Sequence, residues 1–323
     1  MAPVYNEHEN LDVLCERLTK TLTSLAGDSW EIVLVDDGSK DTSWEIIERL
    51  HAADPRVVGL RFSRNFGHHI ALAAGIDAAR GNRVVTMDSD LQDQPEEIPT
   101  LAAKMDEGYD LVYATRMGRQ HGFAKKLSSS GFLWFLNRLS DVPEPITGAV
   151  FRLMNRPFVD ELTRLRERHR LFTGMTAWLG FRQTTVPVEH APRYAGKTKY
   201  DFRKMVKLSV DSVTAFSAKP LFLMMYLGMI ISLTAVALGT YIVLRRVFGN
   251  FSIVGWASIM AAVSFFSGII LMALGIVGQY VGRIYEEQKG RPMYVLQTRL
   301  DTAVVDTAGL APIVASDTLS QSC

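Results

Sequence analysis

Cysteine is almost missing from this sequence, with two in 323 residues, Cys15 and Cys323. They stand far apart in unlike surroundings, which excludes a disulfide framework and makes a reducing compartment the expected setting. Net charge is equally scarce. Thirty-five Lys and Arg against 34 Asp and Glu leave +1, so no global field draws the chain to nucleic acid. No basic leader with a short apolar core opens the chain, and the first two hundred residues are expected to stay on the cytoplasmic side. Charge is wholly absent from two stretches, Pro220 to Leu244 and Trp256 to Val281. The first would be a helix about 37 Å long, more than the roughly 30 Å of hydrocarbon in a bilayer. The high apolar fraction, 48%, is concentrated after residue 219. The pattern is a soluble domain followed by a membrane domain.

The soluble part alternates between two periods. Leu11, Leu14, Leu18, Leu22 and Leu25 lie on one face of a helix. Apolar runs at Trp30 to Val35, Val57 to Phe62, Arg83 to Met87 and Leu111 to Arg116 read as strands, with helices from Ser43 and His69 between them. Ala149 to Leu153 leads into a helix near Phe158, and Val186 to Glu189 reads as a last strand. Strand, loop and helix in repetition predict an α/β domain with a parallel sheet. Only Met1 and Ala2 precede Pro3, so the first strand is almost absent: either the numbered chain starts late or the sheet loses part of one strand. Asp201 to Ser217 carries Arg203, Lys204 and Lys207 on one side and apolar residues on the other, a basic amphipathic helix suited to lipid headgroups. The expected organisation is 1–200 soluble domain, 201–219 juxtamembrane helix, 220–244 and 256–282 membrane spans, and 283–323 a tail disordered at its end. Gly278 and Gly282 form one GxxxG pair, which is either a packing surface or the ordinary glycine content of a span. Lys and Arg outside the spans outnumber Arg245-Arg246 between them, which places both termini on the cytoplasmic side.

The candidate chemistry sits where Val84 to Met87 stops at Asp88-Ser89-Asp90. Two carboxylates at the carboxyl end of a strand lie where open α/β sheets bind ligands. They suit Mg²⁺ or Mn²⁺ carrying substrate phosphates, since such an ion takes only one or two protein carboxylates. Gln92 adds a carbonyl oxygen or a hold on metal-bound water. A diphosphate on that ion makes a nucleotide sugar the natural donor, with Asp36-Asp37 on the next strand to meet base or ribose. Arg116, Lys125 and Lys126 suit an acceptor phosphate, and Arg193, Lys197 and Lys199 suit the departing diphosphate. For the lysines, attraction to anionic lipid is an equal reading. His68 and His69 diverge at a helix start and read as structural or donor contacts rather than a metal pair. The arginines from 164 to 170 are either a donor gate or a solvated helix face.

Five segments in register resemble the family 2 polyisoprenyl-phosphate glycosyltransferases, a group that includes dolichyl-phosphate mannose synthases and bactoprenol glucosyltransferases. They are Pro3 to Glu7, Asp36-Asp37-Gly38-Ser39 with Asp41, Arg64 to His68, Asp88 to Gln92 with Pro95-Glu96, and Arg193 to Tyr200. The two C-terminal spans are similar to those of the bactoprenol branch. The resemblance implies a Rossmann-like GT-A domain. It implies that Pro3, Tyr5, Glu7, Asp36, Asp37 and Arg64 bind the donor with Arg193 and Lys199, and that Asp88, Asp90 and Gln92 hold the metal. Arg116, Lys126 and Ser129 would receive the lipid phosphate, with Asp90 and Arg116 central to catalysis. It further implies inverting transfer of a hexose, with UDP-glucose as the branch's donor, to polyprenyl phosphate in a bacterial inner membrane. A homo-oligomer such as a tetramer and a separate flippase downstream are the implied partners. Many relatives carry an acidic residue beside the glycine near Thr147 to Arg152, whereas this chain has Ala149, so no general base is assigned there. The alternatives are a processive polysaccharide synthase, disfavoured by only two spans and no QxxRW, and a non-catalytic nucleotide-sugar-binding scaffold.

Overall fold

A computed structural model of the chain describes residues 1–116, 150–165, 167, 172–189, 219–248 and 255–301. The apolar runs become strands β1 (Ala2–Val4), β2 (Ile32–Asp36), β3 (Val57–Phe62), β4 (Arg83–Thr86) and β5 (Leu111–Arg116). Helices α1 (Leu11–Ala26), α2 (Ser43–Ala53), α3 (His68–Ala78) and α4 (Ile98–Asp106) fall between them. β6 (Arg152–Asn155), α5 (Arg156–Arg164), α6 (Phe172–Trp178) and β7 (Gln183–Val188) complete this part. β2 is buried along its whole length, as a strand covered on both faces must be, and its sequence is accordingly apolar from Ile32 to Val35 before it ends in Asp36.

With β8 (Leu296–Leu300), from late in the chain, the strands form two four-stranded sheets, ordered β1-β2-β3-β8 and β4-β6-β5-β7. Met1 joins them, its nitrogen donating to the Val85 carbonyl at 2.6 Å and its carbonyl accepting from Met87 N at 3.2 Å. The α/β architecture is as expected, but the sheet is mixed rather than mostly parallel. β1-β2, β2-β3 and β5-β7 pair in parallel, while β6 runs against both β4 and β5, and β8 against β3. Pro3 is accommodated in β1, which keeps its three residues in register with β2.

Two helices follow, α7 (Lys219–Phe248) and α8 (Trp256–Gln288). Each is long and apolar enough to cross a membrane, with mean hydropathy 1.6 over Met224–Tyr241 and 1.8 over Phe265–Gln288, and neither window is buried against the rest of the chain. They outrun the uncharged stretches at their carboxyl ends, since Arg245-Arg246 and Arg283 to Gln288 continue the helices. The amphipathic segment expected at 201–218 lies outside the described residues.

Beyond α8 the chain does not trail away. Gly290, at φ 57°, ends the helix with its N–H on the Glu287 carbonyl, and Pro292 prevents a restart. Leu296–Leu300 then forms β8 on the edge of β3, with Gly59 opposite Leu300 and Arg61 opposite Thr298. Gly59 is needed for this contact, because a Cβ there would meet Ile47 at 2.8 Å and Leu300 at 3.1 Å. Arg80 bridges Glu31 and Asp301, at 2.9 and 3.1 Å, and ties down the strand's end.

Candidate active site

The carboxyl end of β4 carries Asp88-Ser89-Asp90, and its loop is fixed from three directions. Ser89 Oγ donates to the Pro3 carbonyl at 2.8 Å, pinning the loop to β1. Leu91 is buried with φ 59°, a left-handed conformation that a side-chain-bearing residue holds only when its surroundings demand it. Arg17 on α1 grips Glu96 through two hydrogen bonds, at 2.9 and 2.5 Å. Asp90 is nearly buried, whereas the Asp88 side chain is about one-third exposed, at 36%. His68 Nε2 stands 3.6 Å from Asp88 Oδ1. Gln92 donates its backbone N–H and its Nε2 to the two Asp90 oxygens, at 3.2 and 2.8 Å, so in this arrangement it braces Asp90. Two carboxylates at one edge fit a divalent ion delivered with a diphosphate, whose remaining ligands are phosphate oxygens and water. Among the described residues no three His, Cys, Asp or Glu side chains gather as a closed metal cluster.

The neighbouring wall is made by the loops after β1, β2 and β3. Asn6 N–H donates to Ser39 Oγ, Glu7 N–H to Ser43 Oγ, and Lys40 N–H to Asn6 Oδ1, at 3.0, 3.0 and 2.8 Å. Glu7 also accepts from Asn10 Nδ2 at 2.6 Å, while Tyr5 is exposed. The Asp37 carboxylate accepts from Phe66 N–H at 2.7 Å and from Gly67 N–H at 3.0 Å, and Asn65 Nδ2 donates to the Asp37 carbonyl at 3.0 Å. Gly38 makes this approach possible. Its φ is 67°, and a Cβ would fall 2.6 Å from the Arg64 carbonyl carbon.

Asp36 corrects the expectation of a donor contact. Its side chain is completely buried, with Oδ1 accepting from Ser39 N–H at 3.0 Å and Oδ2 3.6 Å from Arg61 Nε. It organises the loop from behind. Burial raises its carboxyl pKa above the ordinary value, opposed by the Ser39 hydrogen bonds and by Arg61. Burial raises that of Asp37 as well, against the pull of the Phe66 and Gly67 amides.

The model of glycosyl transferase family 2 matches residues 1–176, more than half of the chain. The chain belongs to glycosyl transferase family 2. This glycosyltransferase is 43% identical over 298 residues to the glycosyltransferase YkcC of Bacillus subtilis (strain 168), covering 92% of each chain. It is 36% identical over 298 residues to undecaprenyl-phosphate 4-deoxy-4-formamido-L-arabinose transferase of Salmonella paratyphi B, covering 91% of each. Among solved structures, a mannosyltransferase of Pyrobaculum calidifontis in complex with GDP-Man and Mn²⁺ aligns with 88% of this chain and 83% of its own, at 16% identity and TM-score 0.47.

Arg152 of the transferase escaped the sequence reading. It begins β6 and is buried at 2% exposure, with Nε donating to Thr86 Oγ1 at 3.2 Å and its guanidinium 5.0 Å from the centre of the Phe172 ring. Its Nη1 has no hydrogen-bond partner among the described residues, and the charge acts on Asp88, His68 and His69. A buried cation acting on Asp88 brings positive charge to the site; the sole signal in sequence is an arginine inside an apolar strand. Arg116 is the last residue of β5, paired with Val188. Lys126, Ser129, Arg193 and Lys199 lie outside the described residues, as do Lys125, Lys197 and Ala149.

Proposed function

We propose that this family 2 enzyme transfers a sugar from a nucleoside-diphosphate sugar to polyprenyl phosphate at the cytoplasmic face of a bacterial inner membrane. One observation carries the reading: a sheet edge with two carboxylates and two long apolar helices that no described residue covers belong to the same chain. A soluble acceptor would not require such helices. The Salmonella relative, whose acceptor is undecaprenyl phosphate, supports it.

In this reading Pro3, Tyr5, Glu7 and Asp37 line the nucleoside pocket, Arg64 and then Arg193 and Lys199 meet the diphosphate, and Asp88, Asp90 and Gln92 hold Mg²⁺ or Mn²⁺. The ion, when bound, neutralises charge on the leaving diphosphate. Arg116, Lys126 and Ser129 place the acceptor. A phosphate oxygen of the acceptor forms a bond to the anomeric carbon as the bond from that carbon to the nucleoside diphosphate breaks. The bonding pair departs on the β-phosphate oxygen, and the configuration inverts. Because a phosphate monoester has a second pKa of about 6, the acceptor arrives largely dianionic and needs no strong base. In this reading 1–200 is the transferase domain, joined by β8 (Leu296–Leu300) from beyond the second span, with both termini cytoplasmic, a homo-oligomer such as a tetramer, and a separate flippase acting on the product.

For the donor, UDP-glucose is the first choice from the branch resembled, and a UDP-linked 4-deoxy-4-formamido-arabinose is a second that the Salmonella relative suggests. The test is transfer of radiolabel from a panel of UDP- and GDP-sugars to polyprenyl phosphate in membranes, with Mn²⁺ or Mg²⁺. One donor is expected to label the lipid phase, and Asp90→Ala to lower the rate by about 10² or more. Nucleotide binding with no lipid product from any donor would instead favour the scaffold reading.

A further inference from the structure

The loop from Ser63 to Gly67 is held from two sides. In front, Asp37 takes the Phe66 and Gly67 amides. Behind, the segment that follows α8 reaches it: Ser63 N–H donates to the Val295 carbonyl at 3.0 Å. The Tyr294 ring stacks on Phe62, with centroids 5.1 Å apart and planes 20° from parallel. Phe62 meets Phe66 edge-on at 5.5 Å, and the Arg64 guanidinium lies 4.2 Å over the Phe66 ring. Tyr294, Phe62 and Phe66 thus form a continuous aromatic stack ending at Arg64 and Asp37. The next turn of chain behind Tyr294 is the end of α8 at Gln288.

We propose that Tyr294 is a positioning residue for the donor, its ring fixing Phe62 and Phe66 so that Arg64 and Asp37 are set to receive a nucleoside diphosphate. The inference rests on the proposed function, because it takes the loops after β2 and β3 as the donor wall. Physical reasons favour this role over simple packing. An aromatic pair has a preferred geometry, so removing one ring frees the other to turn. Phe66 has a backbone amide on Asp37 and a ring under Arg64, and any shift in it moves two polar groups at once. The connection is also short: five residues, Lys289 to Met293, separate α8 from Tyr294. The donor wall is therefore braced by the part of the chain that leaves the second apolar helix.

The experiment uses the full chain in lipid nanodiscs with Mn²⁺. UDP and GDP are titrated by calorimetry, and transfer kinetics are measured with whichever sugar donor supports them. Tyr294→Ala is expected to weaken the bound nucleotide about three- to tenfold, the contribution of an aromatic pair, and to raise the donor KM equally. Its kcat and acceptor KM stay within twofold. Tyr294→Phe keeps the ring and restores both values. Leu300→Ala, which loosens the far end of β8 against Gly59, lowers thermal stability and leaves nucleotide affinity unchanged. Unchanged affinity in Tyr294→Ala would overturn the inference, as would equal losses in donor KM, acceptor KM and stability. A wild-type chain that binds neither UDP nor GDP would sink the proposed function itself, and the inference with it.

Discussion

At the scale of single residues, Asp36 and Asp37 are adjacent in sequence and opposite in role. Asp37 joins two loops through backbone amides, while Asp36 faces inward with its charge poorly compensated. Because burial raises the folded-state pKa of Asp36 above 3.8, its contribution to stability is present at acid pH and lost as pH rises through the raised value. Asp36→Asn retains an acceptor for Ser39 N–H and cannot ionise. Its stability relative to wild type is expected to improve as pH climbs from 3.8 toward neutrality, followed by thermal unfolding in detergent; a relative decline over that window contradicts the assignment. Gly38→Ala tests the same loop from its backbone. A side chain there is strained by the positive φ and collides with the Arg64 backbone, so a loss of about 2 kcal/mol or more is expected, with nucleotide binding impaired. Cys15 is the quiet counterpart. Buried in the core with its thiol pushed up to about 12, it should resist maleimide in the native protein and react on unfolding, which mass spectrometry of a Cys323→Ser chain would show.

At the scale of elements, β8 completes the first sheet from the far side of two apolar helices. A stop after Lys289 removes it and leaves the β3 edge with unpaired N–H and C=O groups. The shortened chain is expected to melt at least several degrees lower and to aggregate on release from detergent, measured by scanning fluorimetry and light scattering; an unaltered melting point would mean that β8 adds nothing to the domain. This element also marks where sequence reading stops. β2, β3 and β4 were legible because each is a local apolar run closed by polar residues, and the Asp88-Ser89-Asp90 edge was legible because the carboxylates follow such a run directly. Leu296 to Leu300 is a short alternation of apolar and polar residues, and only the distant edge of β3 makes it a strand. β6 was expected, but its direction was not, since direction depends on neighbours rather than composition. Asp36 and Arg152 were misread or missed for the same reason: a charged side chain in sequence looks exposed until packing buries it.

At the scale of the whole molecule, a domain with two carboxylates at one sheet edge is joined to two helices of 30 and 33 residues with apolar surfaces open to their surroundings. Water does not tolerate such surfaces, and a bilayer does. The chain is expected to remain in the membrane fraction after carbonate extraction. Single cysteines placed at Ser29 and Gln297 in a Cys323→Ser background should label from the cytoplasmic side alone, while one at Gly249 should label from the opposite side. Labelling of Gly249 and Ser29 from the same side would overturn the two-span topology.

The place of β8 in the sequence has a consequence for how the protein is made. Ribosomes release β3 long before they release Leu296, with both apolar helices in between. Throughout that interval the first sheet has an open edge, and Phe62 lacks the ring that later stacks on it. The sheet can close only after α7 and α8 have been synthesised, which makes maturation of the domain wait for the membrane segments to emerge. A chain arrested between the two events would carry its Asp88-Ser89-Asp90 edge without the brace behind its donor wall.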